Sequence, residues 1–394
     1  TLGHDIGDTL LVEAARRISS CVRASDTVAR LGGDEFVILL ASLEELDCVE
    51  RIARTLVSTL VEPFLLANEQ AYISASIGIA LYPNDAQEID DLLKHADQAM
   101  YSSKNAGRNR HSYFAPEMQQ AAQLRRRMTN DLRGALEAQQ MRVHYQPIVE
   151  LATGSIHKAE ALVRWQHPVR GLVSPADFIP LAEETGLINE IGDWVFRESA
   201  RQVAHLRQIH HCNFQISVNK SPVQFRKDGG PTKAWFRYLQ ELGLTGQSMV
   251  IEITEGLLMN VEHNVTEKLL AFRDAGMQVS LDDFGTGYSS LSYLKKFDID
   301  YLKIDKTFVS NLESDPDNLT LCESIIVMAH KLGLKVIAEG VETEAQRDLL
   351  AHAGCDYAQG FFFSGPVAAT EFEEFLLAWS KVYQGSNNAI NNCG

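Results

Sequence analysis

Apolar and polar positions along this chain follow two rhythms, which meet between residues 116 and 140. In the first part, TLLVEAARRISSCVR repeats Leu10, Ala14, Ile18 and Val22 at near-helical spacing, which predicts an amphipathic helix. TVARLGGDEFVILL then reads as two short strands pinched at Gly32 and Gly33. A second helix is predicted over Leu46 to Leu60, a strand at ISASIGIAL from Ile73, and a third helix whose buried stripe is Ile89, Leu92, Leu93, Ala96 and Met100. Strong helix formers follow from Pro116 to Gln140, with Leu124, Met128, Leu132, Ala135 and Leu136 along one side. The run Arg125 to Arg127 within them reads as a solvated face.

From Met141 the rhythm becomes regular. Eight strand candidates, MRVHYQPIV, HKAEALVRW, FQISVN, SMVIEIT, QVSLDD, YLKID, KVIAEG and YAQGFFF, alternate with helical stretches such as FIPLAEETGLINEIGDWVFRESARQVAHLRQI and TLCESIIVMAHKLG. That alternation predicts an α/β chain with a TIM-type (β/α)8-like barrel, whose functional groups belong at the carboxyl ends of the strands. The expected organisation is a small α+β domain over 1–115, a helical linker over 116–140, the barrel over 132–380 and a flexible tail over 381–394.

The strand ends present Gln146, Glu160, Asn219, Glu252, Asp282 with Asp283, Lys303, Glu339 and Gln359. All are polar and five are carboxylates. One glutamate at a strand end is ordinarily a helix cap or an arginine partner, but several converging on one barrel mouth repel each other unless cations neutralise them. The donors are hard oxygens without His or Cys, so Mg²⁺ or Mn²⁺ is the expected cation. Lys303 adds a positive charge among the acids. The stretch QVSLDDFGTGYSSLSYLKKF fits this picture as a strand, a carboxylate pair and a glycine-serine loop that can move; a polar turn with a capping aspartate is its plain alternative.

Charge narrows the ligand classes. With 52 acidic and 36 basic residues the formal net charge is −16, which argues against a DNA or RNA polymer as partner but leaves room for a small phosphorylated ligand. Cys21, Cys48, Cys212, Cys322, Cys355 and Cys393 are scattered without a CxxC pair, which fits a reducing compartment. The longest strongly apolar run is FVILLA, far short of the roughly 18 residues of a membrane span. No signal peptide is visible at Thr1, and a cytoplasmic location is expected, with any sensor or membrane domain upstream.

The motifs GHDIGD, RLGGDEF, ASIGIA and ADQAMYSSKNAGRN together resemble the GGDEF domain, the diguanylate cyclase family that joins two GTP molecules into cyclic di-GMP on a nucleotidyl-cyclase-like fold. The resemblance implies that Gly32 and Gly33 contact a triphosphate, that Asp34 and Glu35 serve metal binding and catalysis, and that Asp8 helps read guanine. Arg23 and Asp26 stand at the spacing of the family's RxxD inhibitory site, and a guanidinium fork suits phosphate or the Hoogsteen edge of guanine. The chain lacks the family's first strand and its DxDxFKxxND segment, so the chain as given is expected to be inactive as a cyclase.

From Leu132 to Ala378, YQPIV, EALVRW, SPADFIPLAEETGLI, SVNKSP, IEITE, LDDFGTGYSSLSYL, LKIDK, VIAEGVET and GCDYAQGFFFSGP resemble, in order, the EAL phosphodiesterases that open cyclic di-GMP to pGpG. The resemblance implies metal ligation by Glu160, Asn219, Glu252 and Asp282, and a second metal on Asp283. It assigns the hydrolytic water to Glu339 and Lys303 with support from Gln359, the loop anchor to Glu255, and substrate contacts to Gln146, Leu162 and Arg164. Lys220, Val223 and Gly365 depart from the usual pattern without removing a ligand. Barrel dimerisation near the DDFGTG loop is a further implication. A cyclic di-GMP phosphodiesterase with a regulatory, GTP-binding GGDEF domain is the leading reading; a non-catalytic cyclic di-GMP receptor and a bifunctional cyclase and phosphodiesterase are the alternatives.

Overall fold

The computed structural model of the chain describes residues 4–41, 43, 46–66, 69–211, 213–225, 232–259, 263–285, 297 and 299–384. They form two compact units that divide between Met128 and Thr129.

In the first unit, α1 (His4–Ser20) carries Ala14 and Ile18 into a core completed by Leu56 and Leu60 of α2 (Leu46–Val61) and by Phe64 and Leu66. Strands β1 (Thr27–Gly32) and β2 (Glu35–Leu39) pair antiparallel, with Gly32 opposite Glu35 at the turn. The short strands β3 (Phe64–Leu66) and β4 (Glu69–Ala71) form a hairpin, and β5 (Ser76–Ile79) runs parallel to β6 (Arg110–Tyr113). Against β5 lies α3 (Ile89–Asn105), and here the sequence expectation is corrected. Its buried residues are His95, Ala99 and Ser103; of the expected stripe, Leu92, Ala96 and Met100 are half-buried, whereas Ile89 and Leu93 are exposed. The cause is a close approach at Gly78, where a Cβ would fall 1.9 Å from the Ala96 carbonyl oxygen. A helix seated that tightly turns small residues inward and leaves no room for a leucine stripe.

The linker expectation is also adjusted. Helix α4 (Pro116–Arg133) stops seven residues before Gln140, and turns follow it. Met128, Leu132 and Ala135 are buried while Leu124 is exposed.

The second unit closes eight strands into a barrel: β7 (Met141–Glu150), β8 (Ile156–His167), β10 (Gln215–Asn219), β11 (Met249–Thr254), β12 (Gln278–Phe284), β13 (Tyr301–Ile304), β14 (Lys335–Ala338) and β15 (Tyr357–Ala358). β9 (Gly171–Val173) adds a hairpin to β8. All barrel neighbours are parallel except at β7, which runs antiparallel to both β8 and β15. The short link from Glu150 to Ile156 explains this, because a parallel crossover needs about a dozen residues whereas a hairpin needs few.

The long helical stretch after β9 breaks at Gly186, a left-handed C-cap with φ 78°, into α5 (Pro175–Thr185) and α6 (Ile188–Ile209). The predicted strand YAQGFFF shrinks to Tyr357–Ala358, since Gly360 begins a turn in which its carbonyl accepts from the amides of Phe363 and Ser364. The last helix runs Ala369–Gln384, so 381–384 are helical and not tail; the remaining tail residues lie outside the described residues.

Side chains inside the barrel stack in layers of period two. Ile148, Val250, Tyr301, Ile337 and Tyr357 form one apolar layer. Two residues further toward the mouth stand Glu252 and Lys303 on their strands and Glu339 and Gln359 just past the ends of theirs, and reversed β7 carries Gln146. The alternation that fills the core therefore also sets the register of the polar site.

Candidate active site

Lys303 is the centre of the polar layer. Its side chain is fully buried, and its Nζ lies 2.6 Å from Glu339 Oε1, 2.8 Å from Glu252 Oε2, 3.4 Å from Glu160 Oε2 and 3.5 Å from Asp282 Oδ1. Four carboxylates at the ends of four strands thus meet on one ammonium. Amides complete the frame around Glu160: Asn219 Nδ2 donates to its Oε1 at 2.6 Å and Gln359 Nε2 to its Oε2 at 2.7 Å. Gln359 also donates to Gln146 Oε1 at 2.9 Å, and Gln146 donates to the Ser364 carbonyl at 3.0 Å.

One lysine does not balance four acids. Glu252 Oε1 and Gln359 Oε1 are buried without a hydrogen-bond partner among the described residues. Orphaned oxygens of this kind carry a desolvation cost that a cation would remove. Toward the mouth, Asp282, Asp283 and Glu339 each offer a carboxylate oxygen within 4.8 Å of one another, close enough to share one ion. Asp283 reaches this place through a left-handed backbone, φ 56°, and its amide donates to Asp282 Oδ1 at 3.0 Å. A β-strand alternates its side chains, so this departure lets two successive carboxylates serve one centre. All donors are oxygen, the set that suits a hard divalent cation.

Electrostatics separate the acids. Burial opposes ionisation of Glu160, but the Lys303 ammonium and the bonds from Gln359 and Asn219 outweigh it and hold the carboxyl below its ordinary value. Burial, with Glu160 beside it, pushes Glu252 well above its ordinary value. Burial lifts Glu339 to about 7 against the pull of Lys303. Burial and Asp282 raise Asp283, and Asp305 contributes. Lys303 is driven far up, its acids overcoming the cost of burial.

These directions give a prediction with a definite sign. An acid whose pKa is raised on folding stabilises the fold only while protonated, so that stability is lost as pH climbs from the ordinary carboxylate range toward 7. Glu160 works in the opposite sense, but below the ordinary carboxylate range. In chelator, the barrel's melting temperature should therefore fall between pH 5 and pH 8, and added Mn²⁺ should raise it more at pH 8 than at pH 6, because proton and cation compete for the same oxygens. Thermal melts at both pH values, with and without Mn²⁺, check this; an equal metal-induced rise would contradict it.

Glu255, four per cent exposed at the start of α7 (Glu255–Met259), accepts from the Gly285 amide at 3.1 Å and so ties down the first turn after the Asp282–Asp283 pair. The rest of the expected mobile loop, residues 286–296, lies outside the described residues. Leu162 and Arg164 share β8 with Glu160 at period two, and opposite them across the antiparallel ladder stand His144 and Arg142. Asp305, absent from the sequence expectations, caps the helix after β13 by accepting from the Thr307 amide at 2.9 Å. The lone acid of YLKIDK was its only signal.

The remaining expected site residues lie in the first unit. Gly32, Gly33, Asp34 and Glu35 form an exposed turn that Arg30 braces by donating to the Gly33 carbonyl at 2.9 Å. Asp26 accepts from the amides of Arg23 at 2.9 Å and Ala41 at 3.3 Å, so its carboxylate shapes the backbone of the RxxD stretch. Asp8 is exposed on α1.

A closed barrel with one reversed strand and an acid cluster at its carboxyl ends defines the class: the chain belongs to the EAL domain family, which residues 129–366 match. Residues 1–110 match the family described as diguanylate cyclase, GGDEF domain. Among named proteins, the chain is 42% identical over 372 residues to the bifunctional diguanylate cyclase/cyclic di-GMP phosphodiesterase MucR of Pseudomonas aeruginosa, covering 94% of this chain and 54% of the relative. It is 39% identical over 379 residues to the cyclic di-GMP phosphodiesterase PdeR of Escherichia coli, covering 96% and 57%. The chain thus spans about half the length of the curated relatives it matches. A solved structure described as the PaMucR phosphodiesterase in complex with c-di-GMP is 40% identical with a TM-score of 0.60, covering 62% of this chain and 99% of that one. Among the described residues, no helix is long and apolar enough to cross a membrane.

Proposed function

We propose that the barrel hydrolyses cyclic di-GMP to linear pGpG with Mg²⁺ or Mn²⁺ held by Glu160, Asn219, Glu252, Asp282 and Asp283. The observation that carries this reading is the excess of buried acid over cation around Lys303, with the orphaned oxygen of Glu252. The relatives named for this activity support it.

When bound, the divalent cations supply Lewis-acid polarisation of the phosphodiester and acidify water. The chain's own residues do the rest. Glu160 is held in place by Asn219, Gln359 and Lys303, so the site is organised before substrate arrives. Glu339, with its pKa near 7 and its Oε1 on Lys303, is suited to orient the attacking water and take its proton. Lys303 offers a fixed positive charge toward the negative charge that grows on the phosphoryl oxygens. Water adds to phosphorus as Glu339 takes its proton, the bond to the 3′ oxygen breaks, that oxygen takes a proton from solvent to leave as a hydroxyl, and the ring opens. Gln146, Leu162 and Arg164 line the approach for the nucleotide.

For the first unit we propose a regulatory role, with GTP bound at the exposed Gly32–Gly33 turn beside Asp34 and Glu35. The experiment for the barrel is product analysis: purified protein with Mg²⁺ or Mn²⁺ should convert cyclic di-GMP to pGpG, and chelator should stop it. Tight cyclic di-GMP binding without product in either metal would instead make the chain a receptor.

A further inference from the structure

Lys158 is a buried ammonium that the hydrolytic site does not use. It lies inside the barrel on β8, five per cent exposed and two residues nearer the floor than Glu160. Its Nζ donates to the Tyr301 hydroxyl of β13 at 2.7 Å and to Gln215 Oε1 of β10. The Tyr301 hydroxyl in turn donates to Gln278 Oε1 of β12 at 3.1 Å, and Gln215 Nε2 donates to the same oxygen at 2.7 Å. Four side chains from four strands thus close a ring of hydrogen bonds in which each is held by two others.

What stands above the ring gives it a use. Side chains of a strand return to the same face every second residue. Glu160 follows Lys158 by two and Lys303 follows Tyr301 by two, while Asn219 follows Gln215 by four and Asp282 follows Gln278 by four. The four strands tied together at the floor are therefore the four that supply Glu160, Asn219, Asp282 and Lys303 to the polar cluster. Three strands separate β8 from β13 in either direction around the closed barrel, so the two face each other across it. Two links join them: Lys158 to Tyr301 at 2.7 Å below, and Lys303 to Glu160 at 3.4 Å above. Crowded acids at the mouth push the strand ends apart, and a closed ring beneath them resists that push. An ammonium against neutral oxygens is costly to bury, so packing of the floor alone does not account for Lys158.

We propose that Lys158 and Tyr301 are positioning residues for the cation site: their bond fixes the separation of β8 from β13, and through it the distance between Glu160 and Lys303. This rests on the metal-dependent phosphodiesterase reading above. Both residues act through the side chains above them and not on the reacting atoms. A misplacement of about 1 Å at a reacting centre costs on the order of a hundredfold in rate, and groups that hold metal ligands in place typically carry about tenfold or more in affinity.

The test uses Tyr301→Phe, which removes one hydroxyl from an intact aromatic ring, Lys158→Met, which removes the charge and keeps the unbranched chain, and the double variant. Mn²⁺ affinity is read from the electron paramagnetic resonance of the free ion, with Glu160→Ala as the blank for metal held outside the barrel, and beside it steady-state hydrolysis and thermal melts. Each single variant should weaken Mn²⁺ binding about tenfold and lower kcat at saturating Mn²⁺ about tenfold, with KM for cyclic di-GMP within about twofold. Because both groups act through one link, the double variant should be no more than about twofold worse than the more impaired single one. Lower melting temperatures with unchanged Mn²⁺ affinity and kcat would overturn the positioning role, as would losses that multiply in the double variant. Should Lys158→Met fail to fold, Tyr301→Phe decides alone, and an unchanged Mn²⁺ affinity in it overturns the proposal. Mn²⁺ held at the barrel without pGpG formation would remove the hydrolase reading and leave the affinity series to judge the ring. Equal Mn²⁺ binding by the unmutated protein and Glu160→Ala would remove both readings together.

Discussion

Glu160→Ala should abolish the proposed hydrolysis of cyclic di-GMP, with at least about a thousandfold loss of kcat, while the chain stays folded. The size follows from what converges on this side chain. Its two oxygens take bonds from Asn219, Gln359 and Lys303, so truncation loses a proposed cation ligand and frees two amides and an ammonium that had been fixed by it. A thousandfold is about 4 kcal/mol of barrier, within the several kcal/mol that metal-centred charge stabilisation supplies. The fold should tolerate the change, because one buried negative charge leaves a cluster that already has too many. Product analysis of pGpG beside a thermal melt separates the two effects. More than about a tenth of the turnover surviving in the variant would mean that the cation site lies elsewhere.

The sequence was most informative where side-chain period and chemistry coincide. Glu252, Lys303, Glu339 and Gln359 each stand two residues beyond an apolar barrel residue, and that spacing is written in VIEIT, YLKID, VIAEG and YAQG. What could not be read was geometry that depends on how close backbones come. The buried face of α3 was misassigned at Ile89 and Leu93 because a period argument ranks large apolar residues above alanine and serine, whereas the close approach at Gly78 favours small ones. The reversed β7 was legible in principle from its short link to β8, yet strand counting alone ignores connection length. The left-handed Asp283 carries no signal in the letters DD, although that backbone is what lets both adjacent acids reach one centre. Gly360 stopped the last strand because it turns the chain against Val341, a contact between segments distant from any local pattern.

Lys303→Met should leave the barrel less stable by about 3–5 kcal/mol in chelator, the usual cost of removing one partner from a buried ion pair, and on the order of 10 °C in melting temperature. Methionine keeps much of the unbranched side-chain volume, so the loss reports charge and not a cavity. Four carboxylate oxygens within 3.5 Å of the ammonium would then face each other without a counterion. Two responses follow. The acids would hold protons to higher pH, so the deficit in chelator should shrink at pH 5 and grow at pH 8. Mn²⁺, able to occupy the same field, should recover a large part of the melting temperature but little of the turnover, because Glu339 would have lost the ammonium that fixes its Oε1 at 2.6 Å. Melts in chelator and in Mn²⁺, paired with pGpG formation, distinguish a counterion from a group needed in the reaction. An unshifted melting temperature in chelator would show that the four acids already share protons among themselves; recovery of full turnover by Mn²⁺ would confine Lys303 to holding the empty site together.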